Sequence, residues 1–114
     1  TLVIPRGHVE TLLDLPAGLL PAVFSTAQLI ARAIETGLGV KGTFVAINNR
    51  VSQSVPHLHI HVVPRNPKDG LRGFFWPRTK YETAEAMRGV QETLRAAVAA
   101  LHGPNLANQD SRAR

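Results

Sequence analysis

Residues 56–65, "PHLHIHVVPR", place three of the chain's five histidines on alternate positions. In a β-strand, residues two positions apart point to the same face of the sheet. The alternation therefore predicts a strand over residues 55–63, with Leu58, Ile60 and Val62 facing a core and the three histidines on the opposite face. One histidine on a strand is usually incidental, whereas three in register favour a functional cluster.

The size and charge of the chain indicate a single domain and favour acidic ligands. Its 114 residues are enough for one hydrophobic core, and 44% of them are hydrophobic. The net charge of +5 comes mostly from arginines, which are scattered along the chain and form no basic run. The charge therefore favours acidic ligands in general, and a phosphate-bearing small molecule fits it as well as a polymer does. Because the arginines form no run, the signal for nucleic acid is weak, and no nucleic-acid partner is expected.

Cysteine content and hydropathy limit the kinds of site, the location and the partners that we expect for the protein. The absence of cysteine excludes disulfides and thiolate metal sites within this sequence, and it fits a cytoplasmic location. We find no apolar run of the roughly 20 residues that span a bilayer, so no membrane partner is expected. The sequence opens at Thr1 on a strand-like stretch with no visible signal peptide, so we expect an N-terminal piece of the protein to precede it.

Two helices are predicted from apolar residues that recur at intervals of three and four. The first covers residues 20–37, with Pro16 suited to a first helical turn and Asp14 to its cap. The second covers residues 87–101 and follows a capping box at residues 79–82. A glycine ends each of the two patterns.

Strands are predicted at residues 1–6 and 42–49, in addition to the histidine strand. The polar connector at residues 48–54 is too short for a helix, so strand 42–49 and the histidine strand are expected to form an antiparallel hairpin. Residues 1–103 then make one domain, followed by a disordered polar tail at residues 104–114.

Histidine clusters support two kinds of chemistry, and metal ligation is the first. Two histidines on one face of a strand can bind zinc, but a catalytic site needs a third protein ligand and a structural site needs a fourth. Asp69 is the nearest acidic residue in the sequence, and His8 could complete the set. A metal-binding protein or a metal-dependent hydrolase therefore stays open as an alternative.

Covalent catalysis is the second kind of chemistry. An imidazole nitrogen can attack phosphorus, and a neighbouring imidazole can protonate the leaving group. Neutral hydrogen-bond donors precede the histidines and suit the charge that grows on a phosphoryl oxygen; they are Asn48, Asn49, Gln53 and Ser54. This combination favours chemistry at a phosphoryl group.

The stretch "QSVPHLHIHVVPR" resembles the His-φ-His-φ-His-φ-φ signature of the histidine triad (HIT) superfamily, in which φ is an apolar residue. "TLVIPRGH" at the start and "PR" after the histidines also resemble this family. The resemblance implies an α+β fold in which an antiparallel sheet packs with two helices and is joined to a second sheet across a homodimer. It further implies a nucleotide hydrolase or transferase that acts at an α-phosphate, with a purine nucleotide as substrate and no required cofactor.

The resemblance also assigns residue roles. His59 matches the nucleophile, which would form a nucleotidyl-histidine. His61 matches the residue that contacts the phosphate and assists proton transfer to the leaving group, and His57 would orient and tune its neighbours. Gln53 and Ser54 match phosphate-contact positions, with Ser54 counted among the catalytic residues.

Two further expectations come with the resemblance, and a third, for Trp76, comes from the three aromatic residues 74–76 in a loop-like stretch. Asn48 or Asn49 matches a side chain that lies near the phosphate or the ribose. Some bacterial members bind zinc through an N-terminal cysteine pair and histidines, and His8 lies at a matching position, so zinc in the complete protein stays open. Trp76 is expected near the dimer interface or the rim of the site. A regulatory nucleotide-binding module without turnover is a further alternative, which the intact triad disfavours.

Overall fold

An antiparallel sheet and two helices make up the part of the chain that the computed structural model describes, residues 1–71 and 80–103. The elements in chain order are β1 (Leu2–Val3), α1 (Leu20–Leu38), β2 (Gly42–Ile47), β3 (Ile60–Arg65) and α2 (Ala84–Leu101). The predicted α+β class, with one sheet and two helices, is confirmed. The predicted position of Trp76 and the predicted tail at residues 104–114 lie outside the described residues.

Strand β3 is the centre of the sheet, because the strand order is β1–β3–β2 with antiparallel pairing on both sides. Its register places His61 opposite Leu2 on one side and opposite Ala46 on the other. A residue and its directly opposite partners share a face of the sheet. His61 therefore lies on a sheet face with short and apolar neighbours.

The opposite face of β3 forms the core. Leu58, Ile60 and Val62 are the predicted core residues, and their exposed fractions are 1%, 0% and 0%. They cluster with Ile34 and other buried residues of α1, the first helix. Each fully buried aliphatic side chain contributes about 1.5–3 kcal/mol of transfer free energy. The alternation read from the sequence is thus confirmed as a pattern of burial.

The predicted extent of the histidine strand is wrong at its start. The strand begins at Ile60 rather than at residue 55, and it continues to Arg65. The connection from β2 is therefore twelve residues long, 48–59, and is not the short hairpin loop that we expected. The reason is the pairing of the main chain: the amide of His57 donates to Val55 in a turn, and the amide of Leu58 donates to Val9 instead of to β2.

Helix α1 begins at residue 20, as predicted, but the signals at Pro16 and Asp14 lie before its start. Pro16 precedes a short 3-10 turn, Ala17–Leu19, and the α-helix starts at Leu20. Asp14 does not cap α1, because its carboxylate accepts from the Thr11 amide and hydroxyl and so caps an earlier 3-10 turn, Leu12–Asp14. At the other end, Gly39 takes the left-handed conformation at φ 65° that closes many helices.

Helix α2 begins at Ala84, and its N-cap is Thr83, whose hydroxyl accepts from the Ala86 amide. The predicted capping box at residues 79–82 is thus placed too early. The helix packs on α1 at Gly37, where a Cβ would lie 3.1 Å from that of Ala97. A glycine at this position lets the two helices approach closely.

The stretch Ala17–Leu38 is long and apolar enough to cross a membrane, judged by length and composition alone. This differs from our expectation that no such stretch exists. Length and composition are weak evidence of a membrane span, because the core helix of a soluble protein passes the same test. In this fold Val23, Ala27 and Ile34 of the stretch are buried.

Candidate active site

The histidine loop, residues 48–59, carries two of the three triad histidines, and the sheet carries only the third. His57 and His59 precede β3, whereas His61 lies within it. The loop lies against a docking segment, residues 8–14, through hydrogen bonds that include the one from the Leu58 amide to the Val9 carbonyl, at 2.7 Å. The triad is therefore assembled at the junction of a loop and a strand.

A main-chain carbonyl fixes the tautomer of His59. Its Nδ1 lies 2.7 Å from the carbonyl oxygen of His57. Because a carbonyl oxygen can only accept, Nδ1 carries the proton. In the neutral ring Nε2 is then the unprotonated nitrogen, so the nucleophilic lone pair belongs to a defined atom.

His59 and His61 form the closest pair of rings within the triad. Their centroids lie 5.0 Å apart, and the ring planes are inclined at 69° in an edge-to-face arrangement. Partial burial lowers the pKa of His61 below its ordinary value, and the neighbouring charge of His59 lowers that pKa further. His61 is thus neutral at neutral pH before any substrate binds.

His57 pairs with a histidine that lies outside the triad. The rings of His57 and His8 are stacked, with centroids 5.2 Å apart and planes within 15°. Nε2 of His57 donates to the Pro5 carbonyl at 3.0 Å, which leaves its Nδ1 as an acceptor in the neutral ring. Nδ1 of His8, at 3.2 Å, then donates to that atom. We had expected the ring of His57 to orient His59, but the His57 carbonyl does so.

The His8–His57 pair also fits two ligand positions of a zinc ion. Two nitrogens bound to one tetrahedral zinc lie about 3.3–3.4 Å apart, given bond lengths of about 2.0–2.1 Å. The two Nδ1 atoms are 3.2 Å apart. The Pro5 carbonyl holds the His57 tautomer that frees Nδ1, as outer partners of metal ligands commonly do. Residues 1–71 and 80–103 contain no group of three or more His, Cys, Asp or Glu side chains that could hold a metal, so within them these histidines would supply two ligands of such a site.

Two of the predicted substrate-binding residues bond to the main chain. Nε2 of Gln53 donates to the Glu10 carbonyl at 2.6 Å, and its Oε1 accepts from the Arg50 amide at 2.7 Å. Oδ1 of Asn49 accepts from the Leu12 amide at 2.9 Å. These amide groups connect the histidine loop to the docking segment.

The other two predicted polar residues of the site, Ser54 and Asn48, differ in their exposure to solvent. Ser54 is exposed, and its hydroxyl makes no hydrogen bond to the residues that the structure describes. It is therefore available to a ligand. Asn48 is half-buried directly after β2, next to Asn49. The structure thus brings all of the predicted site residues to one loop and the adjoining ends of two strands.

The backbone of the histidine loop is strained at two positions. Arg50 and Ser52 have φ values of 67° and 60°, in the left-handed region. This region costs a residue with a side chain about 1–2 kcal/mol. Such strain persists only where the surroundings determine the conformation. The side chain of Gln53 supplies one such constraint through the Arg50 amide.

The docking segment is the part of the site that the sequence patterns did not reveal. Thr11 is fully buried, and it donates through its amide and its hydroxyl to Asp14. The hydroxyl bond and then the amide bond of Thr11 lower the pKa of the Asp14 carboxyl. The short polar spacing Thr-x-x-Asp is a signal for this turn. What the turn packs against, however, is set by residues about 40 positions away.

Comparisons with known proteins agree with this architecture. Residues 1–68 match the model of the HIT domain family. An uncharacterised HIT-like protein of Mycobacterium tuberculosis is 32% identical over 115 residues, which cover 99% of this chain and 73% of the relative. A bifunctional bis(5'-adenosyl)-triphosphatase/adenylylsulfatase of Arabidopsis thaliana is 36% identical over 70 residues, 60% of this chain and 39% of the relative.

Solved structures show the same fold. A zinc-bound histidine triad family protein from Mycobacterium smegmatis superposes with a TM-score of 0.69 at 39% identity, covering 88% of this chain and 68% of that one. The chain spans only 37% and 54% of the length of two further relatives, from Arabidopsis thaliana and Bacillus subtilis. On the match over residues 1–68 and the shared fold, the chain belongs to the HIT domain family.

Proposed function

We propose that this protein is a HIT-type hydrolase or transferase that cleaves nucleotides at the α-phosphate through a nucleotidyl-His59 intermediate. One observation carries the proposal: Nδ1 of His59 bonds to the His57 carbonyl at 2.7 Å. This contact leaves Nε2 as the unprotonated nitrogen. A defined free nitrogen beside a second imidazole is what covalent catalysis by histidine requires.

The reaction has two balanced steps. In the first, Nε2 of His59 attacks the α-phosphorus, a phosphorus–nitrogen bond forms, and the bond to the leaving group breaks with its electron pair going to that group. In the second, water attacks the same phosphorus and gives up a proton to the neutral His61 or to solvent, the phosphorus–nitrogen bond breaks with its electron pair returning to Nε2 of His59, and a nucleoside monophosphate is released. Another acceptor in place of water makes the reaction a transfer.

His61 supplies the proton for a basic leaving group. In the free protein its pKa is lowered, first by burial, so the ring is neutral at neutral pH. A bound phosphate places negative charge beside the ring and favours its protonated form. Protonation is thereby coupled to substrate binding. Amine leaving groups need this proton, whereas phosphate or sulfate leaving groups need it little.

Relatives support a purine nucleotide substrate with an activated α-phosphate. The Arabidopsis thaliana relative is a triphosphatase for bis(5'-adenosyl) compounds and an adenylylsulfatase. In both substrate types the bond to be broken joins an adenylyl group to a good leaving group. We propose dinucleoside polyphosphates and nucleotidyl adducts of this kind as substrates of this protein, together with nucleoside phosphoramidates, whose amine leaving group would take its proton from His61.

The test is direct detection of the intermediate. The protein is mixed with adenosine 5'-phosphoramidate, a dinucleoside polyphosphate or adenosine 5'-phosphosulfate and is quenched in alkali, which spares a phosphorus–nitrogen bond. Peptide mass spectrometry is expected to find the adenylyl group on His59. His59→Ala should lower turnover by about 10⁴-fold or more and should still bind nucleotide, because the residue is outside the core.

The matched control is His102→Ala, since His102 is an exposed histidine directly after α2. It should label and turn over as the wild type does. A label on His57 or His61, or substantial turnover by His59→Ala, would show that the nucleophile is misassigned.

A zinc-dependent reaction is the second candidate, supported by the 3.2 Å spacing of the His8 and His57 Nδ1 atoms. Zinc held there would act as a Lewis acid on a phosphoryl oxygen and would need further ligands from outside the described residues. Full removal of metal by a chelator separates the two candidates, because the covalent reaction should survive it. Homodimerisation, a cytoplasmic location and the absence of nucleic-acid and membrane partners stay predictions from the sequence.

A further inference from the structure

We propose that Asn49 and Gln53 are positioning residues, which hold the histidine loop in its reactive shape by bonding to the main chain of the docking segment. This inference rests on the proposed function. It assigns both amides a role different from the phosphate contacts that the sequence suggested. It also predicts which chemical feature of each side chain matters.

The first observation is that the bonded atoms differ between the two amides. Asn49 uses its oxygen, which accepts from the Leu12 amide at 2.9 Å. Gln53 uses both ends: its nitrogen donates to the Glu10 carbonyl at 2.6 Å, and its oxygen accepts from the Arg50 amide at 2.7 Å. Both oxygens and one nitrogen are thus occupied within the protein before any substrate arrives.

The second observation is that the histidine loop has few other means of keeping its shape. Residues 48–59 lie outside the sheet, and the ladder of strand hydrogen bonds begins only at Ile60. Within the loop, Arg50 and Ser52 are held in the left-handed region at φ 67° and 60°. Loss of the side-chain bonds would let these residues relax to ordinary conformations.

The third observation links the loop to the chemistry. The tautomer of His59 is set by the carbonyl of His57, which is itself a loop residue. The position of that carbonyl depends on the loop and on the bond from the Leu58 amide to Val9. Small displacements of a catalytic group cost up to about 100-fold in rate. The two amides therefore act on catalysis through His57 and His59.

The two roles predict opposite results for conservative substitutions. Asn49→Asp keeps an oxygen that accepts from the Leu12 amide, so it should keep the loop in place. Gln53→Glu replaces the donor to the Glu10 carbonyl with a second acceptor, so two oxygens would repel there. If the amides instead donated to phosphate, both acidic variants would repel the substrate and would raise KM.

The experiment compares Asn49→Asp, Asn49→Ala and Gln53→Glu with the wild type and with Gln28→Glu, an acidic control on the exposed face of α1. Steady-state kinetics with adenosine 5'-phosphoramidate gives kcat and KM. Nitrogen-15 NMR of the histidine side chains reports the tautomer of His59 without any turnover. Hydrogen exchange reports the protection of the Leu12 amide.

We expect Asn49→Ala and Gln53→Glu to lower kcat by about 10–100-fold with KM within about threefold of the wild type. Asn49→Asp should stay within about threefold of the wild-type kcat and should keep the Leu12 amide protected. In Asn49→Ala and Gln53→Glu the single His59 tautomer should become mixed, and Gln28→Glu should match the wild type throughout.

Positioning is overturned if Asn49→Asp raises KM tenfold or more, if Gln53→Glu matches the wild type, or if the His59 tautomer stays single in both impaired variants. If the wild-type protein turns over no substrate, the proposed reaction fails by itself. The tautomer and the Leu12 exchange then still decide whether the amides hold the loop.

Discussion

The two halves of the histidine segment are held by different forces. Residues 60–65 form the central strand, with hydrogen-bonded neighbours on both sides and fully buried Ile60 and Val62. Residues 48–59 have no strand neighbour, and their shape depends on individual bonds from Asn49, Gln53 and the Leu58 amide to the docking segment. His61 belongs to the first half, and the other two triad histidines belong to the second.

This difference explains how a site can be both rigid and adaptable. A ladder of main-chain bonds over a dry core resists displacement, because many groups must move together. A loop held by separate bonds can be tuned one residue at a time. His59, the proposed nucleophile, lies at the boundary, so its Nδ1 is fixed by the loop while its neighbour His61 is fixed by the sheet.

The largest expected effect comes from a substitution that leaves a cavity under the strand half, residues 60–65. Ile60→Ala should cost about 2–5 kcal/mol of the free energy of unfolding, because it leaves a cavity at a site with 0% exposure. Val55→Ala in the loop half should change it by less than about 0.5 kcal/mol, since that side chain is 55% exposed. Urea unfolding measures both. Equal losses in the two variants would contradict the division into halves.

A smaller effect tests the loop half through its chemistry. Ser54→Ala should lower kcat by about 10–100-fold while KM changes little, because the exposed hydroxyl is proposed to meet charge that grows toward the transition state. Ser25→Ala is the control, since the Ser25 hydroxyl donates to a carbonyl within α1. Steady-state kinetics of both variants and the wild type gives kcat and KM. An unchanged kcat would remove Ser54 from the mechanism.

Glycine substitutions at two arginines should have opposite signs. Arg50→Gly should raise the free energy of unfolding by about 0.5–1 kcal/mol, because it relieves a left-handed residue at φ 67°. Arg32→Gly, on the exposed face of α1, should lower it by about 1 kcal/mol through lost helix propensity. Thermal unfolding of the two variants gives both signs. Destabilisation by Arg50→Gly would show that the loop is not strained there.

The smallest effect concerns pH and belongs to the strand half. Burial, and then the charge of His59, lowers the pKa of His61 in the folded protein. As the pH falls from about 6.5 through that lowered value, the unfolded state takes up a proton before the folded state does, so stability is lost. His61→Gln should lose less stability than the wild type between pH 8 and pH 5. Equal losses of stability between pH 8 and pH 5 in the two proteins, measured by denaturation, would contradict this cause.

The sequence predicted some parts of the site better than others. The alternation around Leu58, Ile60 and Val62 predicted their burial correctly, because alternation depends only on local geometry. The same alternation predicted a strand that begins too early in the chain, because a strand also needs a hydrogen-bonding partner. In residues 57–59 that partner is the docking segment, 49 positions away from Leu58 at Val9.

The triad itself shows the same limit. The pattern indicated a functional cluster, and the resemblance assigned its middle member as the nucleophile and His57 as a residue that orients its neighbours. The ring of His57 stacks on His8, and it is the carbonyl of His57 that orients His59. A contact between residues 49 positions apart leaves no periodic signal in the chain.

By itself, then, the sequence indicated the two helices, the buried face of the central strand and a cluster of histidines, since each depends on residue type and short-range spacing. Tertiary structure alone decided where the strand begins, which nitrogen of His59 is free and which atoms of Asn49 and Gln53 are used. The physical reason is that these features are set by hydrogen bonds whose partners are brought together only when residues 8–14 pack against residues 48–59.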